Sequence, residues 1–369
     1  MIRILQYIGS LEQGGSQAMI MNLYRNIDRT KIQFDFVIHA GGIAPLAQEA
    51  QSMGATIYTC PAYRLKTSGE YSKWWRTFFK EHPEYKIVHS HVRSTAAIVL
   101  GIAKRCSRKT IAHSHSASSG FGLSAVVKNL LQYRIRYVAD YFMGCSQVAG
   151  EWLFGKKICA SDRYFNVRNA IDAEEYIYDK VIADDVRSEF GYTDSDFVIG
   201  HVGRFVEPKN HMFLLEVFNE VYKRNPKYKL LLVGDGELRG EIEQKIRDYG
   251  IGNAVTLTGN RADVHRLMMG MDLFLFPSLW EGLGIVMIEA QATGCPCIAS
   301  TGVPKEAKIA DFVKFLQLTE SAEYWADQIL EGEKIPRRNM YQTVLKAEYD
   351  VKASAVWIQD FYEGLGKKK

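Results

Sequence analysis

The 369-residue sequence predicts an α/β protein with two doubly wound parallel sheets, one in each of two domains. Short apolar runs alternate with longer segments of helical periodicity along nearly the whole chain, which is typical of repeated β-α units with parallel strands. The length suffices for two domains of ordinary size, each with its own core. A charged segment without a long buried run, residues 172–196, separates two series of strands.

The first series contains six predicted strands and five predicted helices. Its strands are Ile2–Ile8, Phe34–His39, Thr56–Cys60, Ile87–His91, Lys109–His113 and Tyr141–Cys145. Its helices are Gln17–Asn26, Ala44–Met53, Tyr71–Glu81, Ser94–Lys104 and Ser124–Val138. The second series has the strands Phe197–Val202, Lys229–Val233, Val255–Thr258, Leu273–Phe276, Cys297–Ala299 and Val313–Leu316. We therefore predict one domain over residues 1–180 and a second over residues 181–349.

The composition indicates a globular protein of the cytoplasm. Hydrophobic residues make up 47% of the chain and charged residues 24%, which are ordinary values for soluble domains. No uncharged apolar run is long enough to predict a transmembrane helix. The six cysteines are scattered without metal-ligand spacing, and Cys295-Pro-Cys297 lies in an apolar run that predicts core packing. These features favour a reducing, cytoplasmic compartment.

Positive charge is concentrated in the first half of the chain. Between Arg64 and Asp140 there are 14 basic residues and 4 acidic residues. Such an excess favours an anionic partner, either a membrane surface or a phosphate-bearing acceptor. No nucleic-acid-binding motif accompanies it, so a nucleic-acid partner is not expected. The predicted helix at Tyr71–Lys80 places its aromatic residues on one face, which could either lie on a membrane or pack onto the sheet.

The most informative segment follows the predicted strand that ends at Phe276. Glu281 precedes two glycines, and Ile285–Ala292 has the apolar spacing of a helix that contains Glu289. The first-turn amides of a helix have no internal partner and carry partial positive charge, so they suit a phosphate. The glycines at 282 and 284 allow a ligand to approach the backbone closely. Glu289 could accept hydrogen bonds from two ribose hydroxyls.

A second phosphate-binding pattern follows the strand Phe197–Val202. Gly203 ends this strand, and Arg204 and Lys209 come next in the sequence Gly-Arg-Phe-Val-Glu-Pro-Lys-Asn. A guanidinium fork and a mobile ammonium group together suit a diphosphate. Two further glycine loops, at Gly234–Glu237 and Gly259–Arg261, follow strands, where ligands of open parallel sheets bind.

The two glutamates, the surrounding PSLWEG and EAQATGCPCIAS strings, and the VGR…KN pattern resemble the retaining family 4 glycosyltransferases, which use nucleotide sugars. The resemblance covers most of the chain and is nearest to bacterial capsule and exopolysaccharide enzymes. It implies a GT-B fold, in which two Rossmann-like domains face a cleft and a final helix, residues 350–366, crosses back to the first domain. The first domain is then expected to bind a glycan or lipid-linked acceptor, and the second the nucleotide sugar, with UDP as the expected nucleotide.

The resemblance also implies roles for individual residues. Arg204 and Lys209 would stabilise the leaving diphosphate, and Glu281 and His115 would orient the sugar hydroxyls, with His113 as a second candidate for the histidine. Gln17 stands where many relatives carry Glu. The expected substrate contacts are Gly14, Gly15, Gly203, Asn260, Arg261, Gly282, Leu283, Gly284, Ile285, Val286 and Glu289. No cofactor and no metal are expected, because two cations can neutralise the departing diphosphate.

Histidines cluster at two predicted strand ends, in His89-Ser-His91 and His113-Ser-His115. Such a group could hold a metal, but the residues of each pair lie two apart without matching carboxylates, so we favour hydrogen-bonded histidines.

Three other activities compete with glycosyl transfer. Hydrolysis by the two glutamates is disfavoured because a retaining hydrolase needs carboxyl groups about 5.5 Å apart, whereas eight helical residues span about 12 Å. A nucleotide-sugar epimerase of related fold and a non-catalytic nucleotide-sugar-binding regulatory subunit remain as alternatives. The epimerase lacks specific support in the sequence, and the regulatory subunit is disfavoured because a protein that only binds need not keep the sugar-side groups.

Overall fold

The structure, a computed structural model, describes residues 1–12, 14–39, 45–115, 131–332 and 335–367. The chain divides into two compact units, of which the first comprises Met1–Ile171 with Glu348–Lys369 and the second Asp172–Ala347. Residues 172–180, which the sequence assigned to the first domain, therefore belong to the second unit.

The first unit contains a seven-stranded parallel sheet in the order β3-β2-β1-β4-β5-β6-β7. Its strands are β1 Ile2–Tyr7, β2 Ile32–His39, β3 Ile57–Cys60, β4 Ile87–Ser90, β5 Lys109–Ser114, β6 Tyr141–Gly144 and β7 Tyr164–Asn166. The six predicted strands are confirmed with small differences at their ends. β7 was not predicted, because a strand of three residues is too short to show a periodicity.

Helices flank this sheet between successive strands. The described ones are α1 Gly15–Asn26, α2 Pro45–Ser52, α3 Ser68–Glu81, α4 Ala96–Arg105, α5 Ile135–Val138, α6 Gln147–Phe154 and α7 Lys156–Cys159. The first part of the predicted helix Ser124–Val138 lies outside the described residues, as does residue 44 of the predicted second helix.

The aromatic face of α3 packs against the sheet. Trp75 is fully buried, and its ring meets that of Tyr7 on β1 edge to face with 5.1 Å between the ring centroids. Tyr71, Phe78 and Phe79 are also at most 4% exposed. Of the two interpretations left open by the sequence, packing onto the sheet is therefore correct. Membrane binding by this face of α3 is wrong, because the core already covers it.

The second unit contains a six-stranded parallel sheet in the order β10-β9-β8-β11-β12-β13. Its strands are β8 Phe197–Val202, β9 Tyr228–Val233, β10 Val255–Leu257, β11 Leu273–Phe276, β12 Cys297–Ser300 and β13 Val313–Leu316. Its helices are α8 Lys180–Glu189, α9 His211–Arg224, α10 Arg239–Tyr249, α11 Val264–Met269, α12 Ile285–Ala292, α13 Ala322–Leu330 and α14 Tyr341–Lys346. The predicted strands are confirmed, and α12 begins and ends at the predicted residues.

The final helix, α15 Val351–Lys367, belongs to the first unit, as predicted. Its residues Ile358 and Tyr362 are buried in the same core cluster as Ile4 of β1 and Phe34 of β2. The chain thus leaves the first unit after Ile171 and returns to it for its last helix.

Two remaining predictions concern the cysteines and the membrane. All six cysteines are free, and Cys295 and Cys297 are buried, which confirms their predicted packing. Among the described residues, no helix combines the length and the apolar character that crossing a membrane requires.

Candidate functional site

The structure brings the two predicted phosphate-binding segments of the second unit together. The strands that precede them, β8 and β11, are direct neighbours and parallel, so the loops after them leave the same edge of the sheet. The Leu279 amide donates to the Pro208 carbonyl over 2.8 Å. The Asn210 side-chain amide donates to the Pro277 carbonyl over 3.1 Å. Residues far apart in sequence thus form one site.

A salt bridge between Lys209 and Glu281 lies at the centre of this site. Lys209 Nζ donates to Glu281 Oε1 over 2.6 Å, and the two side chains are only 19% and 12% exposed. The ammonium group also lies 5.1 Å from the centroid of the Phe276 ring. Two such groups are costly to place this far from water unless they are paired, so the contact stabilises both side chains in these positions.

Arg204 differs from Lys209 in having no ion-pair partner among the residues that the structure describes. It is exposed.

Gly203, which precedes Arg204, has its backbone close to a buried histidine. A Cβ at position 203 would lie 3.1 Å from His201 Nε2. His201 Nδ1 donates to the Leu275 carbonyl over 2.8 Å. Burial lowers the pKa of His201 well below its usual range, so a neutral ring supports the segment that carries the cations.

The helix α12 begins without a side-chain cap, which leaves its first amides available. Gly284 precedes the helix with φ of 80°, a conformation that favours glycine. A Cβ atom added at this position would lie 3.0 Å from the Phe276 ring. The Met287 amide already bonds the Gly284 carbonyl over 2.9 Å. The amides of Ile285 and Val286 precede the first bonds inside the helix and form a partly positive end. Gly282 is exposed and Leu283 buried.

Glu289 faces Tyr176, a residue that the sequence did not single out. Burial raises the pKa of Glu289 to about 7, and a hydrogen bond from the Tyr176 phenol acts in the opposite direction. Tyr176 is 9% exposed and comes from the segment that enters the second unit. That segment has no periodicity, so no sequence pattern could have indicated the contact.

Ser278 was also missed: its hydroxyl is buried with no partner among the described atoms.

The two further glycine loops are joined at the edge of the sheet. The Gly234 amide donates to the Gly259 carbonyl over 2.9 Å. Asn260 is exposed. The Arg261 guanidinium bonds Asp263 over 2.7 Å and Glu189 over 3.1 Å. The predicted nucleotide contact of Arg261 would therefore come from its backbone.

The remaining predicted residues lie in the first unit. Gly14 precedes α1, and a Cβ there would lie 2.6 Å from Gln17 Oε1, so the side chain of Gln17 folds over the glycine. Gln17 Nε2 donates to the Ser10 carbonyl over 3.2 Å. Gly15 begins the helix and has open space around it.

The four clustered histidines of the first unit form hydrogen-bonded pairs. His91 Nδ1 lies 2.7 Å from His115 Nε2, and His113 Nδ1 lies 3.2 Å from His89 Nε2. Burial lowers the pKa of His115 to about 4, and it also lowers the pKa values of the other three well below their usual range. All four imidazoles are therefore neutral near pH 7.

Nitrogen atoms of His89, His91 and His113 lie within 4.8 Å of one another, which is close enough to consider a metal. However, both nitrogens of His89 and both of His91 are engaged with neighbouring side chains. The ring planes of His89 and His113 are also nearly parallel, at 10°. A metal would have to break these bonds, and the predicted absence of a metal remains a prediction.

Comparisons with known proteins agree with the geometry of the second unit. Residues 196–331 match the family described as glycosyl transferases group 1. A putative glycosyltransferase of Bacillus subtilis, EpsF, is 31% identical over 373 residues, which cover 98% of the chain and 96% of that relative. An Escherichia coli UDP-Gal:alpha-D-GlcNAc-diphosphoundecaprenol alpha-1,3-galactosyltransferase is 26% identical over 227 residues, 59% of the chain and 58% of that enzyme.

A solved structure shows the same fold. The Anabaena protein Alr3699/HepE in complex with UDP superposes with a TM-score of 0.78 at 18% identity, over 99% of the chain and 100% of that protein. This likeness confirms the predicted GT-B fold.

Proposed function

Because the chain belongs to the group 1 glycosyl transferases, we propose that its second unit binds a UDP-sugar and that the sugar is transferred with retention of anomeric configuration. The contact between Lys209 and Glu281 carries this proposal. It joins a cation suited to a diphosphate with a carboxylate suited to sugar hydroxyls, beside the uncapped start of α12.

Among the parts of the donor, the diphosphate has the largest number of candidate binding groups in this site. Arg204 has no ion-pair partner in the described part of the chain, and its planar fork can bind two phosphate oxygens at once. The amides of Ile285 and Val286 offer further donors that need no reorganisation. When the bond to the sugar breaks, negative charge grows on the diphosphate, and these groups stabilise it. This arrangement supports transfer without a metal.

Donor binding would break the salt bridge, and Lys209 and Glu281 would then bind different parts of the donor. Lys209 would turn from Glu281 to the diphosphate, because the diphosphate carries more negative charge than a single carboxylate. Glu281 would then accept hydrogen bonds from sugar hydroxyls. Glu289 would hold the ribose through the carboxylate that Tyr176 already contacts. In the first unit, His115 and the Gly14–Gly15 segment would meet the sugar.

The acceptor is proposed to be a lipid-linked glycan in polysaccharide biosynthesis. The E. coli relative is named for a diphosphoundecaprenol acceptor, and the basic excess between Arg64 and Asp140 suits a diphosphate or an anionic membrane surface. An acceptor of this kind supports a peripheral location at the cytoplasmic face of a membrane.

Turnover with a panel of UDP-sugars and a diphosphate-lipid-linked acceptor sugar tests this proposal. We expect UDP release that depends on the acceptor, and a product whose anomeric proton coupling in NMR matches that of the donor. Binding of UDP-sugars without turnover on any acceptor would favour the regulatory subunit instead. An inverted product would contradict retention but leave the donor site intact.

A further inference from the structure

A chain of hydrogen bonds in the first unit connects the final helix to His115. Gln6 on β1 and Tyr362 on α15 are each 1% exposed, so their polar atoms need partners within the protein. Both contact the clustered histidines. We infer that Tyr362 and Gln6 are positioning residues that determine which ring nitrogen of His115 carries its proton.

The order of donors and acceptors begins at Tyr362. Its hydroxyl oxygen lies 3.3 Å from Gln6 Nε2 and 2.7 Å from His89 Nδ1. The Gln6 amide nitrogen can only donate, so the phenol oxygen accepts there and donates its own proton to His89. This contact directs the other end of the Gln6 amide, its oxygen, towards His91.

The same order continues from Gln6 to His115. Gln6 Oε1 lies 2.9 Å from His91 Nε2 and can only accept, so His91 carries its proton on Nε2. A neutral ring then has a lone pair on Nδ1, and burial keeps His91 neutral by lowering its pKa. His115 Nε2, which lies 2.7 Å away, must donate to that lone pair. His115 is left with its lone pair on Nδ1.

This order has a chemical consequence, which rests on the proposed role of His115 in orienting the sugar. A bare Nδ1 can accept a hydrogen bond from a sugar hydroxyl but cannot donate one. Without the Tyr362 hydroxyl, the Gln6 amide could rotate and present its NH₂ group to His91. The proton order would then reverse, and His115 would present an N–H group to the hydroxyl. Tyr362→Phe should cause this change without altering His115 itself.

Nitrogen chemical shifts of the full-length protein with ¹⁵N-labelled histidines measure the proton order directly. In the wild type we expect His115 to carry its proton on Nε2, with its signals identified by their loss in His115→Ala. In Tyr362→Phe we expect a mixture of the two forms or the reverse order. Tyr349→Phe is the matched control, because it removes the hydroxyl of another buried tyrosine of the same unit, one that accepts from Arg168 over 2.9 Å. It should leave the His115 signals unchanged.

Turnover provides the second measurement. Losing one ordering hydrogen bond should lower kcat of Tyr362→Phe about 3- to 10-fold, while the UDP dissociation constant stays unchanged and Tyr349→Phe keeps wild-type turnover. A proton on Nδ1 of His115 in the wild type would overturn the inference, and so would unchanged signals in Tyr362→Phe. If the signals change as expected but His115→Ala keeps wild-type kcat, the proton order is supported and the proposed role of His115 fails.

Discussion

Replacing Lys209 with Met removes the cation at the centre of the candidate site and keeps a side chain of similar length. The wild-type ammonium is held 2.6 Å from Glu281 and is mostly buried, so it is positioned before UDP arrives. A hydrogen bond to a charged group contributes about 1.5–3 kcal/mol, which corresponds to about 10- to 100-fold in a dissociation constant. We therefore expect Lys209→Met to weaken UDP binding by that factor in isothermal titration calorimetry at fixed ionic strength.

Two further variants make the result specific. Lys245→Met is the matched control, because Lys245 also pairs with a glutamate, Glu216, over 3.3 Å, and lies 4.9 Å from an aromatic ring centroid. It should leave the UDP dissociation constant within about twofold. Glu281→Gln should keep or tighten UDP binding, since Lys209 loses a competing partner, and should lower turnover. Wild-type UDP affinity in Lys209→Met would refute the assignment of Lys209.

Three other predictions follow from the second unit. Burial raises the pKa of Glu289 to about 7, so its carboxyl is neutral below that pH and ionised, hence a better acceptor for the ribose hydroxyls, above it. The affinity for a UDP-sugar, whose phosphates do not titrate in this range, should therefore rise from pH 6 to pH 8. Glu289→Gln should abolish the rise. Gly284→Ala forces a side chain into a backbone with φ of 80° and should cost about 1–2 kcal/mol, seen as a lower melting temperature, whereas Gly282→Ala, with open space around it, should not. Treatment with EDTA should leave turnover unchanged, and loss of activity that Mg²⁺ or Mn²⁺ restores would contradict metal independence.

The sequence predicted most of the sheet strands and α12 because their signals are local. β11 is an uninterrupted apolar run that ends at a proline, and α12 follows Gly284 and has the apolar spacing of a helix. The helix α8, Lys180–Glu189, is capped by Asp179 but was assigned to a junction, because its sequence is charged and mixed; only Ala183 and Val186 of this helix are buried. A helix with so narrow an apolar stripe gives a weak periodic signal.

The candidate site was only partly predictable. Lys209 and Glu281 were each proposed from their motifs, but their direct contact depends on β8 and β11 being neighbours, which no local pattern encodes. The same holds for Tyr176, which reaches Glu289 from an irregular segment. In the first unit, Tyr362 meets His89 only because the last helix returns to the first sheet. Contacts of this kind come from topology, whereas sequence periodicity reports single elements.

The most direct test of the donor site is a crystal structure of the full-length protein with UDP. We predict electron density for the diphosphate against the amides of Ile285 and Val286, within hydrogen-bond distance of Arg204 and Lys209, and for the ribose at Glu289. UDP bound at another place in the chain, with these groups unoccupied, would contradict the account.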